Sequence, residues 1–440
     1  MTSNPYNSGD RLTTEGWRVF MRGAEKDLSE SLINTPSNAE NGSCTLQLVR
    51  AFVLAKHGRS TEARRQIETV QQVIDKTPDA SRRARADLIL VDAHVRVYED
   101  RPSSESDGKN LKWALEALEP DDQVGQGLAL NQLCIFSLHM GNFDRAQEYG
   151  ESAIRLYRQG GAEFGSLHLH AHLGQIKMMR GDLEGAAAQY ADMEARLGRL
   201  PDDSAALLAV SHALRSEVAY EMNDLSQSHA LLSDAIVSVE EDDAWLDVRA
   251  AAYRVRTRLA FARFGLPGAL TELSHCEHVA ERRGMPRLLR LMQVERLRAL
   301  TLSDEIEAAR SIMRSIGLTP ERYEWGEDDD WALRQGTTAV AIARWMVRAR
   351  HATEALAFIE PAEDFAIRGG QLLSLAKLRV IRSAAHWRLN QKSDATATLL
   401  SALRLLGKQP FRRFILDEGQ EVLRIIQAAL DGNHVSTRPN

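Results

Sequence analysis

Cysteine is scarce in this sequence, and its three copies lie far apart. Cys44, Cys134 and Cys276 form no CxxC pair, so the chain lacks the spacing of a disulfide framework or a structural zinc site. It also lacks an apolar run of the roughly 20 residues that span a bilayer, and the polar stretch 1–17 lacks the apolar core of a signal peptide. We therefore expect reduced, mostly buried cysteines in a cytoplasmic protein.

Glycine and proline are also infrequent, with 28 and 12 copies in 440 residues. Extended disorder is therefore not expected in the body of the chain. The formal net charge of −6 is small for this length, which argues against a protein that coats nucleic acid with its whole surface but leaves a local basic patch open. A chain this long forms several domains or one elongated repeat array.

A short turn pattern recurs along the chain. A helix ends at a small or turn-forming residue, and an alanine lies near the start of the next helix, as in HGRSTEA (57–63), MGNFDRA (140–146) and RGDLEGA (180–186). Gly or Asn allows the left-handed conformation that ends a helix, and a following Asp or Ser can cap the next one. Clear and degenerate copies predict eight turns, at Gly58, Gly141, Gly181, Asn223, Gly265, Ser303, Arg350 and Asn390.

These turns lie 83, 40, 42, 42, 38, 47 and 40 residues apart. The first interval is about twice the others, so it should contain one further hairpin that turns near 101–104. The flanking segments have helical periodicity, and none alternates like a strand. Since one helical hairpin cannot bury its apolar face alone, neighbouring hairpins must stack. We predict an all-α, right-handed superhelical solenoid of about nine helix–turn–helix repeats between residues 44 and 406.

Segments of different composition divide the chain. We expect a flexible tail at 1–12, a repeat array at 13–318, an acidic connector at 319–330, further repeats at 331–432 and a second flexible tail at 433–440. The connector contains Pro, Gly and an acidic run, and it coincides with the longest regular interval between turns.

Two stretches carry a family resemblance. Leu46–Ala63 (LQLVRAFVLAKHGRSTEA) is similar to the first repeat, and Pro410–Gly419 (PFRRFILDEG) to the closing segment, of the helical-repeat (TPR-like) sensor region of MalT-like, large ATP-binding LuxR-type transcriptional regulators. The resemblance covers residues 20–430 and implies a non-enzymatic region that binds a ligand or a protein. Those regulators also carry a P-loop ATPase and a DNA-binding domain. This sequence has no GxxxxGK[ST] motif and only 21 residues after Gly419, so the resemblance transfers neither activity.

Two histidine clusters are candidate sites. His168 and His172 share a helix face, which would suit a metal pair, but no Glu or Cys lies at a helpful spacing and His170 points elsewhere. The segment 275–278 combines two histidines with Cys276, yet no third group orients a Cys–His pair. We interpret both clusters as helix-surface residues, and we expect no enzymatic activity, no metal and no cofactor.

Two acidic runs, 240–243 and 327–330, lack the glycine-containing loop of a calcium site. We interpret them as solvated loops between helices. Trp325 and Trp331 flank the second run and are expected to pack across that loop.

The stretch 249–298 contains eleven arginines, four glutamates and no lysine. Arginine favours bidentate contacts with carboxylate or phosphate, so the stretch forms either salt bridges between repeats or a binding surface for an anion. For the second alternative, Arg254 and Arg258 share one helix face. Arg287 and Arg290 share a face on the first helix of the following hairpin. Stacking of the hairpins would place the two arginine pairs side by side in the concave groove. We predict these four arginines as ligand-binding residues.

Two functions remain open. The resemblance favours the sensor or scaffold part of a transcriptional regulator, which binds a protein, a peptide or a small anionic effector, and which by itself binds neither nucleic acid nor membrane. Repeat architecture alone equally supports a stand-alone protein–protein adaptor with no transcriptional role. An ATPase or DNA-binding domain encoded with the chain would favour the sensor.

Overall fold

The computed structural model of the chain describes residues 11–23, 26–34, 43–77, 80–200, 205–241, 244–323 and 337–436. These residues form helices joined by short turns, and they contain no β-strand. The predicted all-α repeat fold is therefore confirmed. No helix in the described ranges is both long enough and apolar enough to cross a membrane.

The described helices form nine hairpins, preceded and followed by short helical segments. A 3-10 turn, Gly16–Arg18, leads into α1 (Val19–Arg22) and α2 (Lys26–Asn34). Hairpins 1 to 4 are α3 (Cys44–Lys56) with α4 (Ser60–Asp75), α5 (Arg82–Tyr98) with α6 (Glu105–Ala117), α7 (Gln123–His139) with α8 (Phe143–Gln159), and α9 (Glu163–Met179) with α10 (Leu183–Leu197). Hairpin 5 is α11 (Ala205–Glu221) with α12 (Leu225–Glu241), and hairpin 6 is the single bent helix α13 (Leu246–Arg282). Hairpins 7 to 9 are α14 (Pro286–Leu302) with α15 (Ile306–Ser315), α16 (Thr337–Arg348) with α17 (Ala352–Arg368), and α18 (Leu372–Arg388) with α19 (Lys392–Leu406). The chain then forms α20 (Arg413–Leu416) and α21 (Gln420–Ser436).

The hairpins turn at residues with positive φ, close to where the sequence predicts them. Seven of the eight predicted turn residues adopt this conformation, and in hairpin 7 Asp304 does so instead of Ser303. The additional hairpin predicted in the long first interval is hairpin 2, where Asp100 has a φ of 55° and Ser104 caps α6 through a capping box. The two terminal hairpins begin at Cys44 and end at Leu406, as predicted.

A small buried residue lies in the first turn of the second helix in most hairpins. In seven hairpins it lies four positions after the N-cap residue, where the absence of a bulky side chain lets the two helices approach closely. These residues are Ala63, Gly108, Ala146, Ala186, Ala309, Ala355 and Ala395. The sequence pattern identified Ala308 in hairpin 7, but Ala308 is exposed and Ala309 is buried, because the turn lies one residue later than predicted.

The two helices of a hairpin differ in burial. In hairpin 3, the first helix α7 buries 14 of its 17 residues, whereas the second helix α8 buries 6 of 17. A helix that is buried on all sides is an inner element, and one with a single apolar stripe is an outer element. The first helices therefore form the inner layer, and the second helices face solvent.

Hairpins five positions apart touch each other. Asp100 at the turn of hairpin 2 forms an ion pair with Arg287 at the start of hairpin 7. Likewise, the backbone N–H of Glu184 in hairpin 4 donates to Oε1 of Gln409, which follows hairpin 9, at 2.9 Å. The helices α9 and α18 are also in contact. The array therefore completes a turn about every five hairpins, and its inner helices enclose an interior.

The predicted domain boundaries fall largely on residues outside the described ranges, and they remain predictions. Residues 11–15 are helical and Leu12 is buried, so the helical part includes two residues of the predicted tail at 1–12. Most of the predicted connector, including the acidic run 327–330 with Trp325 and Trp331, lies outside the described residues. The helix α21 continues to Ser436, within the predicted tail at 433–440.

Candidate functional site

The interior of the superhelix contains a cavity of about 100 Å³, and half of the residues that line it are charged. We call it the charged cavity. It is bounded by the first helices of hairpins 4 to 9 and by residues 409–419, which follow α19 and which we call the closing segment. Equal numbers of acidic and basic side chains line it: Glu217, Glu221, Glu295, Asp417 and Glu418, with Arg254, Arg258, Arg298, Arg344 and Lys377.

These side chains form ion pairs between different hairpins. Nη2 of Arg254 lies 2.7 Å from Oε1 of Glu217, and Arg258 contacts Glu295 through both Nε and Nη2. Nζ of Lys377 lies 3.1 Å from Oε1 of Glu221. Each pair joins neighbouring or more distant inner helices, so the cavity wall is an inter-repeat salt-bridge network.

The network keeps the carboxyl groups of Glu295, Asp417 and Glu418 ionised. Burial alone would raise the pKa of Glu295, but the guanidinium groups of Arg258 and Arg298 outweigh burial and lower that pKa to about 2. The pKa values of Asp417 and Glu418 are also lowered, against burial, chiefly by Arg298 and Arg344 respectively. The basic residues are therefore already neutralised by paired carboxylates at neutral pH.

The closing segment is bound inside the superhelix. Nη2 of Arg298 lies 2.7 Å from Oδ2 of Asp417, and Nε of Arg344 donates to Oε2 of Glu418 at 2.8 Å. The backbone N–H of Arg412 donates to the carbonyl oxygen of Glu221 at 2.8 Å. The segment that carries the C-terminal family resemblance thus docks onto helices of hairpins 5, 7 and 8.

A second cavity, of about 550 Å³, lies between hairpins 1 to 3 and the first turns of α13 and α14. We call it the large cavity. Its volume falls within the range of small-molecule pockets. Its lining combines apolar residues such as Ile135 and Phe136 with the carboxamides of Gln71, Gln72, Asn110 and Gln132, and with Asp247 and Arg287.

The four predicted arginines occupy different places. Arg254 and Arg258 face the charged cavity. Arg287 lines the large cavity, with Nε 2.8 Å from Oδ1 of Asp100. Arg290 is half-buried on the same helix and belongs to neither lining. The structure therefore brings Arg254 and Arg258 together but does not place Arg287 and Arg290 beside them.

The first histidine cluster is largely enclosed: His170 and His172 are buried, and His168 is half-buried. His168 and His172 lie on one face of α9, with ring centroids 6.2 and 5.1 Å from that of Trp245. Burial lowers the pKa of His172 to about 3, while His170 points elsewhere and contacts Gln189. In the described part of the chain, no group of three or more His, Cys, Asp or Glu side chains is arranged to hold a metal ion.

The cysteine between two histidines, Cys276, faces the core. Burial raises its pKa, whereas His275 and His278 are exposed and the ring of His275 lies 2.9 Å from Glu240. Cys134 is also buried and Cys44 is half-buried, all three as free thiols. A reactive Cys–His pair is therefore not formed on this helix.

Sequence reasoning missed the acidic half of the charged cavity. Glu295 lies inside the arginine-rich stretch, and Asp417 and Glu418 lie in the closing segment. Both segments had been singled out in the sequence, so their acidic residues could have been recognised as partners of the arginines. The large cavity left no comparable signal, because Asp247 and Trp245 belong to no recognisable motif.

Comparison with known proteins gives a family and a fold. The family model described as the MalT-like TPR region matches residues 110–431. No curated protein matches the sequence. Among solved structures, a Rap protein complexed with Competence and Sporulation Factor has a TM-score of 0.61 at 10% identity, and the match covers 85% of this chain and all of that one.

Two further structures match less closely. The apo form of the quorum sensor NprR from B. thuringiensis has a TM-score of 0.41 at 13% identity, with 91% of this chain and 99% of that chain covered. A STAND protein with a tetratricopeptide repeat sensor from Pyrococcus horikoshii has a TM-score of 0.40 at 13% identity, with 88% and 56% covered. At these identities the likeness concerns the fold alone.

Proposed function

Because this chain belongs to the family of MalT-like TPR regions, we propose that it is a non-enzymatic binding domain that acts as the sensor or scaffold part of a transcriptional regulator. Such a domain must convert the binding of an effector into a change of its own shape. The observation that carries the proposal is the position of the closing segment, which ion pairs hold inside the superhelix at the charged cavity.

The effector is an anion. A carboxylate or phosphate group suits the donor geometry of guanidinium, and Arg254 and Arg258 present two such groups to the cavity. Since the cavity charges are balanced, an added anion leaves a buried excess of negative charge unless another carboxylate moves out. Asp417 and Glu418 can leave, because they belong to the segment that connects α19 with α21 rather than to a packed hairpin.

Effector binding therefore exchanges the carboxylates of the closing segment for those of the ligand. Release of the closing segment frees the surface that Arg412 and Phe414 cover and alters what hairpins 5, 7 and 8 present to a partner. A Rap protein with a similar fold is complexed with Competence and Sporulation Factor, which supports a protein or peptide partner for this chain as well. The chain itself contacts no nucleic acid in this scheme, and it functions in the cytoplasm.

The binding step is tested with the purified full chain. Inorganic phosphate and citrate are titrated by calorimetry, and hydrogen exchange of residues 409–419 is followed in parallel. We expect an anion to bind and to raise hydrogen exchange in the closing segment.

The double variant Arg254→Ala with Arg258→Ala should weaken anion binding tenfold or more, since a charge-assisted hydrogen bond contributes roughly 1.5–3 kcal/mol. Arg350→Ala, on an exposed turn, is the control. Unchanged affinity in the double variant would refute the anion site.

The regulatory step is tested in the native cell. Deleting the gene should change a defined set of transcripts, and wild-type protein but not the Arg254→Ala variant should restore them. A deletion that leaves transcripts unchanged while a protein complex is lost would instead establish the adaptor function with no transcriptional role.

A further inference from the structure

The large cavity ends at two buried polar groups that lack hydrogen-bond partners. Trp245 and Asp247 stand at the start of α13, with 4% and 3% of their surface exposed, and both line this cavity. Nε1 of Trp245 and Oδ1 of Asp247 form no hydrogen bond with any described residue. Buried polar groups in folded proteins are nearly always hydrogen-bonded. The indole N–H of Trp245 can therefore still donate to a ligand, and Oδ1 of Asp247 can still accept from one.

The position of Asp247 in the first turn of α13 gives only part of an explanation. An acidic residue there interacts favourably with the helix N-terminus, which accounts for the residue type. It does not supply a hydrogen-bond donor to Oδ1, and it does not account for the open volume in front of the side chain.

Asp247 is also an acidic group whose neighbouring arginines are paired with other carboxylates. The guanidinium of Arg287 is engaged by Asp100 at 2.8 Å, and that of Arg254 is engaged by Glu217 at 2.7 Å. Burial and the nearby Arg287 hold the pKa of His139 well below its usual value, so its ring is neutral. A ligand group that complements this end therefore carries positive charge and N–H donors.

The rest of the lining describes the body of that ligand. Leu88, Leu111 and Ile135 are buried apolar residues on three hairpin helices that face the cavity. The carboxamides of Gln72 and Asn110 each offer a donor and an acceptor at the sides. A volume of about 550 Å³ accommodates a molecule larger than a single ion.

We propose that the large cavity is a second ligand site, which binds a primary ammonium group on an apolar body, with the ammonium at Asp247 and an acceptor of the ligand at the indole N–H of Trp245. A small organic amine and the amino terminus of a peptide share this chemistry. The site is separate from the charged cavity and does not rest on the proposed function.

The protonation of Asp247 agrees with this geometry. Burial raises its pKa to about 7, although Arg287 and Arg254 oppose the shift. A bound ammonium supplies the positive charge that the carboxylate otherwise obtains only by taking up a proton.

The test titrates the purified full chain with 2-phenylethylamine, with its N-acetyl derivative, and with the tripeptide Phe-Gly-Gly and its N-acetyl form, using calorimetry. We expect at least one free amine to bind and its acetylated form to bind at least tenfold more weakly. If the tripeptide binds more tightly than phenylethylamine, a peptide amino terminus is the ligand; the reverse order indicates a small amine. Equal binding of free and acetylated probes, or no binding of either free amine at millimolar concentration, would overturn the proposal.

Two variants locate the site. Asp247→Asn preserves the shape of the side chain and should lower affinity for the free amine at least tenfold, whereas Asp144→Asn, whose carboxylate is 88% exposed, should bind like the wild type. Ile135→Trp fills the cavity from its wall and should also abolish binding, with circular dichroism as the check on folding. Full amine affinity in a folded Asp247→Asn or Ile135→Trp variant rules out this cavity. If neither variant folds, two measurements on the wild type decide the proposal. The free probes should bind more tightly than their acetylated forms, and the free amine should protect the amides of residues 244–250 from hydrogen exchange.

Discussion

Oδ1 of Asp100 accepts a hydrogen bond of 2.8 Å from Nε of Arg287, a residue 187 positions later in the chain. The second oxygen, Oδ2, accepts from the backbone N–H of Arg287 at 2.8 Å. Asp100 is the left-handed turn residue of hairpin 2, and Arg287 begins hairpin 7. The backbone of Asp100 therefore ends the first helix of hairpin 2, and its carboxylate fastens one turn of the superhelix to the next.

This pair predicts a large loss of stability when one partner is removed. Arg287→Met leaves the fully buried carboxylate of Asp100 without its counter-charge, so the free energy of unfolding should fall by about 3–5 kcal/mol, measured by urea denaturation. The double variant Asp100→Asn with Arg287→Met should recover most of that loss. As a control, Arg196→Ala removes the partly exposed pairs with Asp192 and Glu163 and should cost at most about 1 kcal/mol. Equal losses for the buried and the exposed pair would contradict this interpretation.

The docking of the closing segment depends on Arg344. Arg344→Met removes the three hydrogen bonds to Glu418 and leaves a buried carboxylate uncompensated, so the segment should spend more time undocked. Limited tryptic cleavage after Arg412 or Arg413 should become at least tenfold faster than in the wild type, with little change in helix content. An unchanged cleavage rate would show that apolar contacts of Phe411 and Phe414 suffice to hold the segment.

Gly265 is expected to be less tolerant of substitution than other turn glycines. Its φ of 65° and ψ of −156° lie in a region that essentially only glycine adopts, whereas Gly141 has a φ of 71° at a simple helix end. A Cβ at Gly141 would meet no atom within 4 Å. Thermal unfolding should therefore show a larger loss for Gly265→Ala than for Gly141→Ala, for which we expect about 1–2 kcal/mol. The opposite order would contradict this.

The turns were predictable because each is specified locally. A left-handed residue followed five positions later by a small residue is visible in the sequence at Gly141 and Ala146, and the same relationship appears at Asn390 and Ala395. The error of one residue in hairpin 7 has a local cause as well. The segment 302–309 (LSDEIEAA) offers two consecutive alanines, and only packing against α14 selects Ala309.

The site was predictable only in part, for a different reason. Periodicity shows that Arg254 and Arg258 share a face, and the burial of first helices turns that face inward. The partners of the arginines come from elsewhere: Asp417 lies 119 residues beyond Arg298. Such pairings depend on how the superhelix closes, which a pattern within one helix does not specify.

Acid should release the closing segment before the hairpins unfold. The folded-state pKa of Glu295 is lowered from 4.5 to about 2, and those of Asp417 and Glu418 are lowered too. A lowered folded pKa contributes stability that is complete above the unfolded pKa, near 4, and is lost as the pH falls through the folded pKa.

Hydrogen exchange of the closing segment, corrected for the intrinsic effect of pH, should therefore rise steeply between about pH 4 and pH 2. Amides in α7, whose inner surface contains few ionised groups, should stay protected over the same range. In Glu418→Gln, where Arg344 has lost its carboxylate partner, exchange of the segment should already be high at pH 7 and change little with acid. If the segment and α7 lose protection together in the wild type, the ion pairs of the charged cavity do not control docking, and the closing segment is simply part of one cooperative fold.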